Sequence, residues 1–172
     1  MTTQELTDLR KSILEGRYQD ALEILDELDG MSRKEIIRKI ESYLIRMLIH
    51  LIKNQVEERL TNSWAASIRG SIREIKKLNL QDNKTAYYIK ADEWNLTINR
   101  VIEDAISDAS VEVFNGVYSP FQLIEMVDRD LVMETALKLL GLMYEYSPEN
   151  LSIIINENLV LLPGGEEWKE GS

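Results

Sequence analysis

The chain has 172 residues, 20 basic and 30 acidic, for a formal net charge of −10, with one His, three Pro and no Cys. That length suits one domain able to bury about two-thirds of its unfolded surface. The missing Cys excludes disulfides, thiolate metal sites and a cysteine nucleophile, and the acidity argues against a nucleic-acid binder driven by overall charge.

The opening residues, Met1-Thr2-Thr3-Gln4-Glu5, are polar and acidic, unlike a signal peptide. Thr2 and Glu5 have capping-box spacing for a first helix over 3–15. Its stripe is Leu6, Leu9, Ile13 and Leu14, and Gly16 ends it. A second helix is predicted over 17–29 from Tyr18, Ala21, Leu22, Leu25 and Leu28, with Gly30 as its stop. Ser32 and Glu35 form a second capping box, with Met31 stapled to Ile36, for a helix reaching about Asn54. Ile36, Ile37, Ile40, Tyr43, Leu44, Met47, Leu48 and Leu51 line one face, and Ile45, Ile49 and Ile52 add a second. A helix this apolar is expected at the centre of a core. Arg46, His50 and Lys53 leave it a narrow polar stripe. The apolar run 43–52 contains Arg46 and His50 and is about half the ~20 residues a bilayer requires. The chain is therefore expected to be soluble and cytoplasmic, with no membrane contact.

One of Thr61, Asn62 and Ser63 is predicted to cap a helix over 63–79. Trp64, Ile68, Ile72, Ile75 and Leu78 face inward there, with Arg69, Arg73, Lys76 and Lys77 largely opposite. Gln81-Asp82-Asn83 reads as a loop before a long acidic helix over 84–110, whose inner positions run from Tyr87, Ala91 and Trp94 to Ile106. Asn115-Gly116 is a turn. Ser119-Pro120 opens a short helix to Val127, with Pro at the first helical position. A helix follows over 130–144. Ser147-Pro148 opens a last short helix near 148–156, kept helical through Ile153–Ile155 because a lone strand has no partner. Leu159–Leu162 runs into Pro163-Gly164-Gly165; the tail is expected to be partly ordered or frayed, with Leu159–Leu162 docking back on the bundle or onto a second chain. The expected fold is all-α: a single-domain antiparallel bundle over 1–158, with about five main helices plus short C-terminal ones, and a tail over 159–172.

Charge is unevenly spread. Residues 1–30 carry a net −5, residues 31–80 a net +6 and residues 81–172 a net −11. Neighbouring helices of opposite charge account for this by internal pairing. The alternative is a basic face on 59–77, made of Arg59, Arg69, Arg73, Lys76 and Lys77, open to nucleic acid or another acidic partner. Trp64 shares a helical face with Ile68 and Ile72, which points to burial rather than base stacking.

Little else in the residues points to catalysis. With one His and no Cys a structural zinc site would need three or more carboxylates, and no Glu-x-x-His pair marks a di-iron bundle. No nucleophile elbow or phosphate-cradling glycine loop is present. No cofactor or metal is expected. Arg46 and His50, four apart on one helix, resemble the Arg/His pair of HEPN nucleases, where the His acts in RNA cleavage. The spacing here is shorter, and the intervening Met47-Leu48-Ile49 is wholly apolar.

The stretch Leu44…Leu48-Ile49-His50-Leu51-Ile52-Lys53-Asn54-Gln55, followed by Arg59-Leu60-Thr61-Asn62-Ser63-Trp64 and Arg73-Glu74-Ile75, carries a stronger likeness. With Gly16-Arg17-Tyr18 and Leu25-Asp26-Glu27-Leu28, it resembles the bacterial, cyanobacteria-rich family filed as domain of unknown function number 29. His50, Lys53, Arg59, Ser63 and Trp64 stand at that family's hallmark positions. The resemblance implies a cytoplasmic all-helical fold and assigns no catalytic residues. The expected function is a non-catalytic protein-interaction module, homodimeric, antitoxin-like or an adaptor. A nucleic-acid-associated protein using the 59–77 face, and a HEPN-like nuclease using Arg46 and His50, are the alternatives.

Overall fold

A computed structural model describes residues 3–81 and 85–171. It holds eight α-helices and two short 3-10 turns among the described residues: α1 Thr3–Leu14, α2 Tyr18–Glu57, α3 Asn62–Asn79, α4 Trp94–Ala109, α5 Pro120–Met126, α6 Arg129–Glu145, α7 Pro148–Leu159 and α8 Gly165–Glu170. No strand forms among them; Leu80 and Tyr87 make one isolated antiparallel bridge. The all-α expectation holds. The chain divides into two compact units, residues 1–38 and 39–172.

The first unit is a helical hairpin. The predicted Thr2 cap lies outside the described residues. Gly16, at φ +73°, ends α1 as expected, with Gly16 N donating to Ile13 O and Arg17 N to Ser12 O. A left-handed residue there needs glycine. Arg17 then bridges Glu15 and Asp20 at 2.9 Å each. Among the described residues of this unit only Ser12 and Ala21 are buried, and both are small enough to let two helices approach closely.

The predicted break at Gly30 does not occur. One 40-residue helix, α2, runs from Tyr18 to Glu57 through Gly30, Ser32 and Glu35. Gly30 does not adopt a positive φ. A mid-helix glycine costs only about 1 kcal/mol relative to alanine, less than abandoning a turn of backbone hydrogen bonds.

The second unit holds the core. Ile40, Leu44, Met47, Leu48 and Ile52 of α2 are fully buried, as are Ile68, Ile72 and Ile75 of α3 and Ile98 of α4. Helix α3 packs on α6 and α7, α4 on α5 and α6, and α6 on α7. Thr61 proves to be the α3 cap, its hydroxyl accepting from Trp64 N at 3.1 Å.

The long helix expected over 84–110 is a second correction. Lys84 lies outside the described residues, 85–90 is not helical, and α4 begins only at Trp94, after a 3-10 turn at Ala91–Glu93. The buried amide of Asn79 competes for this segment. Its Nδ2 donates to Ile89 O at 2.8 Å and its Oδ1 accepts from Ile89 N at 2.7 Å, so both backbone groups of Ile89 are taken. The Tyr144 hydroxyl completes the network, donating to Ile89 O at 2.6 Å and accepting from Trp94 Nε1 at 2.6 Å and Asn79 Nδ2 at 3.0 Å. Burial raises the Tyr144 pKa above its ordinary value, against the hydrogen bonds it receives.

The later starts follow the sequence closely. Ser119 and Gln122 close a capping box on α5, and Asp128 caps α6 through Leu131 N. Helix α7 begins at Pro148 but continues to Leu159, past the expected end at 156. In the tail, expected to be partly ordered or frayed, Leu159 is buried and a turn at 160–164 leads into the short helix α8. The reason is long-range. Asn54 Nδ2 donates to Pro163 O at 2.7 Å. Gly164, at φ +72°, sits so close that an added Cβ would lie 2.7 Å from the Arg59 Cα.

Candidate functional site at the α2–α3 corner

Three of the five residues singled out by family resemblance, Lys53, Arg59 and Trp64, converge where α2 turns into α3. Helix α2 ends at Glu57, and Glu58 takes φ +52° to reverse the chain. Asn54, on the last turn of α2 and 2% exposed, donates to both Arg59 O and Pro163 O, so one side chain fastens the corner to the segment after α7. Thr61 then launches α3, which brings Trp64 back towards α2.

Trp64 is buried and carries two cations. Lys53 Nζ stands 4.7 Å from the ring centroid and Arg59 Cζ 4.6 Å. Each such contact is worth about 0.5–2 kcal/mol, the more so when shielded from water. Both cations are also neutralised. Lys53 Nζ donates to Glu112 Oε1 at 3.0 Å, and Arg59 Nε to Glu57 Oε1 at 3.0 Å. The second oxygen of Glu57, a nearly buried carboxylate, accepts from Phe114 N at 3.1 Å. That bond steadies a turn in which Phe114, Asn115 and Gly116 all adopt positive φ, the turn expected at Asn115-Gly116. The cluster therefore joins the α2–α3 corner to the link after α4. Its charges face one another, and its chemistry is that of a latch.

The other marked residues fall elsewhere. His50 is half-buried, and its Nδ1 lies 2.9 Å from Arg46 O; since a carbonyl only accepts, Nδ1 carries the proton. Burial pushes the His50 pKa below its ordinary value, the carbonyl of Arg46 opposes that, and the charge of Lys53 adds to it. The Arg46 side chain lines a cleft of about 450 Å³ with Tyr43, Ser63, Ser67 and Arg73, and His50 is not part of that lining. Ser63 is exposed.

The basic face divides. Arg69 Nη1 donates to Asn156 Oδ1 at 2.9 Å, and Lys76 Nζ to Met143 O, both across to neighbouring helices. Lys77 is exposed and pairs loosely with Glu74 at 3.4 Å, while Arg73 is exposed. Glu57 and Glu112 escaped the sequence reading. Glu57 sits two residues before Arg59, a spacing that hints at a pair; Glu112 is 59 positions from Lys53 and left no local signal. Among the described residues no three His, Asp or Glu side chains converge as a metal site would need, and no helix is long and apolar enough to cross a membrane.

Comparison with known families adds one match. A family model described as "Domain of unknown function DUF29" covers residues 2–131, well over half of the chain, including the whole corner. No curated protein and no solved structure matches the chain.

Proposed function

The chain belongs to the DUF29 family, and on that footing we propose that it is a non-catalytic protein-interaction module that pairs with a second copy of itself through the hairpin of residues 3–38. The observation that carries this is the hairpin's uncovered apolar face. Leu6, Ile13, Tyr18, Leu22 and Leu25 are between 45% (Leu25) and 66% (Tyr18) exposed, while residues 3–38 bury only Ser12 and Ala21. Helical spacing collects these five on one side. The opposite side is polar, a cleft lined by Asp8, Lys11, Asp20, Glu23 and Glu27.

Five large apolar side chains left this exposed on one side of a hairpin mark an interaction site. A specific pair of such faces has to bury about 1,000 Å² in total. An isologous pair also sets like charge against like, since residues 1–30 carry a net −5. The dimer therefore tightens as salt screens that repulsion.

The motif residues support a non-catalytic reading, because Lys53, Arg59 and Trp64 are engaged with one another and with carboxylates. The nucleic-acid alternative keeps Arg59, Arg73 and Lys77 as its exposed cations, Arg59 paired with Glu57. The test is light scattering after size exclusion at low and high salt. A dimer that strengthens with salt, and becomes monomeric in Leu22→Glu/Leu25→Glu while circular dichroism stays helical, supports the proposal. A monomer at about 0.5 mM, or a dimer indifferent to both substitutions, overturns it. RNA cleavage lost in His50→Ala overturns the non-catalytic part. An RNA mobility shift lost in Arg69→Glu/Arg73→Glu, without self-association, favours the nucleic-acid alternative.

A further inference from the structure

We propose that the cleft between the C-terminal end of α3 and the start of α7 is a docking site for an acidic peptide segment, which it grips by one large apolar side chain. The cleft lies wholly within residues 39–172, so it stands or falls independently of the hairpin face. Leu80, Tyr87, Pro148 and Leu151 form its apolar part, with Arg73, Lys76 and Lys77 around them, enclosing about 250 Å³. Pockets for whole drug-sized ligands run to roughly 300–1,000 Å³, so this one suits a single bulky side chain.

Its floor is preformed. Tyr87 packs edge-on against Tyr144 with ring centroids 4.8 Å apart, and the Tyr144 hydroxyl is held by Ile89, Trp94 and Asn79. A cleft already fixed in shape avoids the ordering cost that weakens association.

The rim sets the occupant's charge. Lys76 is already spent on Met143 O. Lys77 is exposed, and its 3.4 Å contact with Glu74 is easily exchanged. Lysines in the last turn of α3 are explained by the helix dipole alone, but Arg73 lies a turn earlier and has no hydrogen bond or ion pair to a described residue. Two accessible cations beside an aliphatic hole match a carboxylate flanking an apolar anchor. They match a nucleic acid poorly, since that needs a longer track of phosphate contacts than two cations supply.

Fluorescence anisotropy with labelled eight-residue Glu/Ser peptides tests this, each carrying one central Leu, Phe or Trp. The controls carry Ala at the centre or Lys in place of Glu. Saturable binding by at least one anchored acidic peptide is expected, at least tenfold weaker for the Ala and Lys controls and weakened by salt. Arg73→Glu/Lys77→Glu reduces it at least tenfold, and Leu80→Glu does so without touching a cation; unchanged thermal melting shows both variants fold. No saturable binding up to about 1 mM by any anchored acidic peptide overturns the proposal. Equal binding of the Ala control, or binding indifferent to both variants, overturns it as well. So does binding of single-stranded RNA, or of octanoate, in place of the peptides.

Discussion

Trp64 is held from three directions, by the α3 core and by two charged groups over its ring, and a truncation there removes all of them. Trp64→Ala is expected to cost about 3–5 kcal/mol in urea unfolding, the range for losing a large buried aromatic; a loss below about 1 kcal/mol sinks the latch assignment. His50 makes a different prediction. Its folded pKa lies below its unfolded value, chiefly through burial. Below pH ~6.5 the unfolded chain binds a proton that the folded chain resists, so this contribution to stability is full above that pH and is lost as pH falls. His50→Gln, which keeps an N–H donor near Arg46 O, is expected to lose less stability than the wild type between pH 7.5 and 5.5. Equal losses in the two proteins exclude the assignment. At this scale the sequence was partly legible. Trp64 announced its burial through its spacing with Ile68 and Ile72, and Lys53 and Arg59 were visible through resemblance. Their carboxylate partners were not all so accessible, because Lys53 and Glu112 meet only once the fold is complete.

Among the elements, those whose signals are local were the easiest to read. Ser119 and Gln122 close their box within three residues, and the start of α5 follows at once. The hairpin turn at Gly16 is equally self-contained. Gly30 misled because its weak penalty resembles a stop signal, whereas neighbouring turns carry the helix across it. Nothing lies within 4 Å of a Cβ built there. Gly30→Ala is therefore expected to stabilise the protein by about 0.5–1 kcal/mol, read as a raised melting temperature in circular dichroism. A lowered one means α2 is interrupted at residue 30 after all. The missing first turns of the predicted 84–110 helix failed for the opposite reason. Their apolar spacing was genuine, but Asn79 captures Ile89 from ten positions away, and no periodicity within 84–110 encodes that.

For the molecule as a whole, the two units differ in how much they bury. Residues 3–38 bury two side chains, whereas α3 alone buries seven. Amide hydrogen exchange in dilute Leu22→Glu/Leu25→Glu protein is expected to be fast over residues 3–38 and slowest in α3, α4 and α6, since protection follows packing. Uniform protection contradicts the division into units. The net charge of −10 also looks different with the fold in hand. The basic stretch 31–80 is partly absorbed, through Arg69 and Lys76 into α7 and α6 and through Lys53 into Glu112, which leaves Arg73 and Lys77 as its outward charge on α3. The bond from Asn54 to Pro163 has one more consequence, in time rather than in energy. The two residues are 109 positions apart. At translation rates of roughly 5–20 residues per second, the Asn54 amide waits on the order of 5–20 s after its own synthesis before its second acceptor exists. During that interval the corner that seats Trp64 lacks its fastening on a nascent chain, and a chaperone that acts on this protein meets it in that half-closed form.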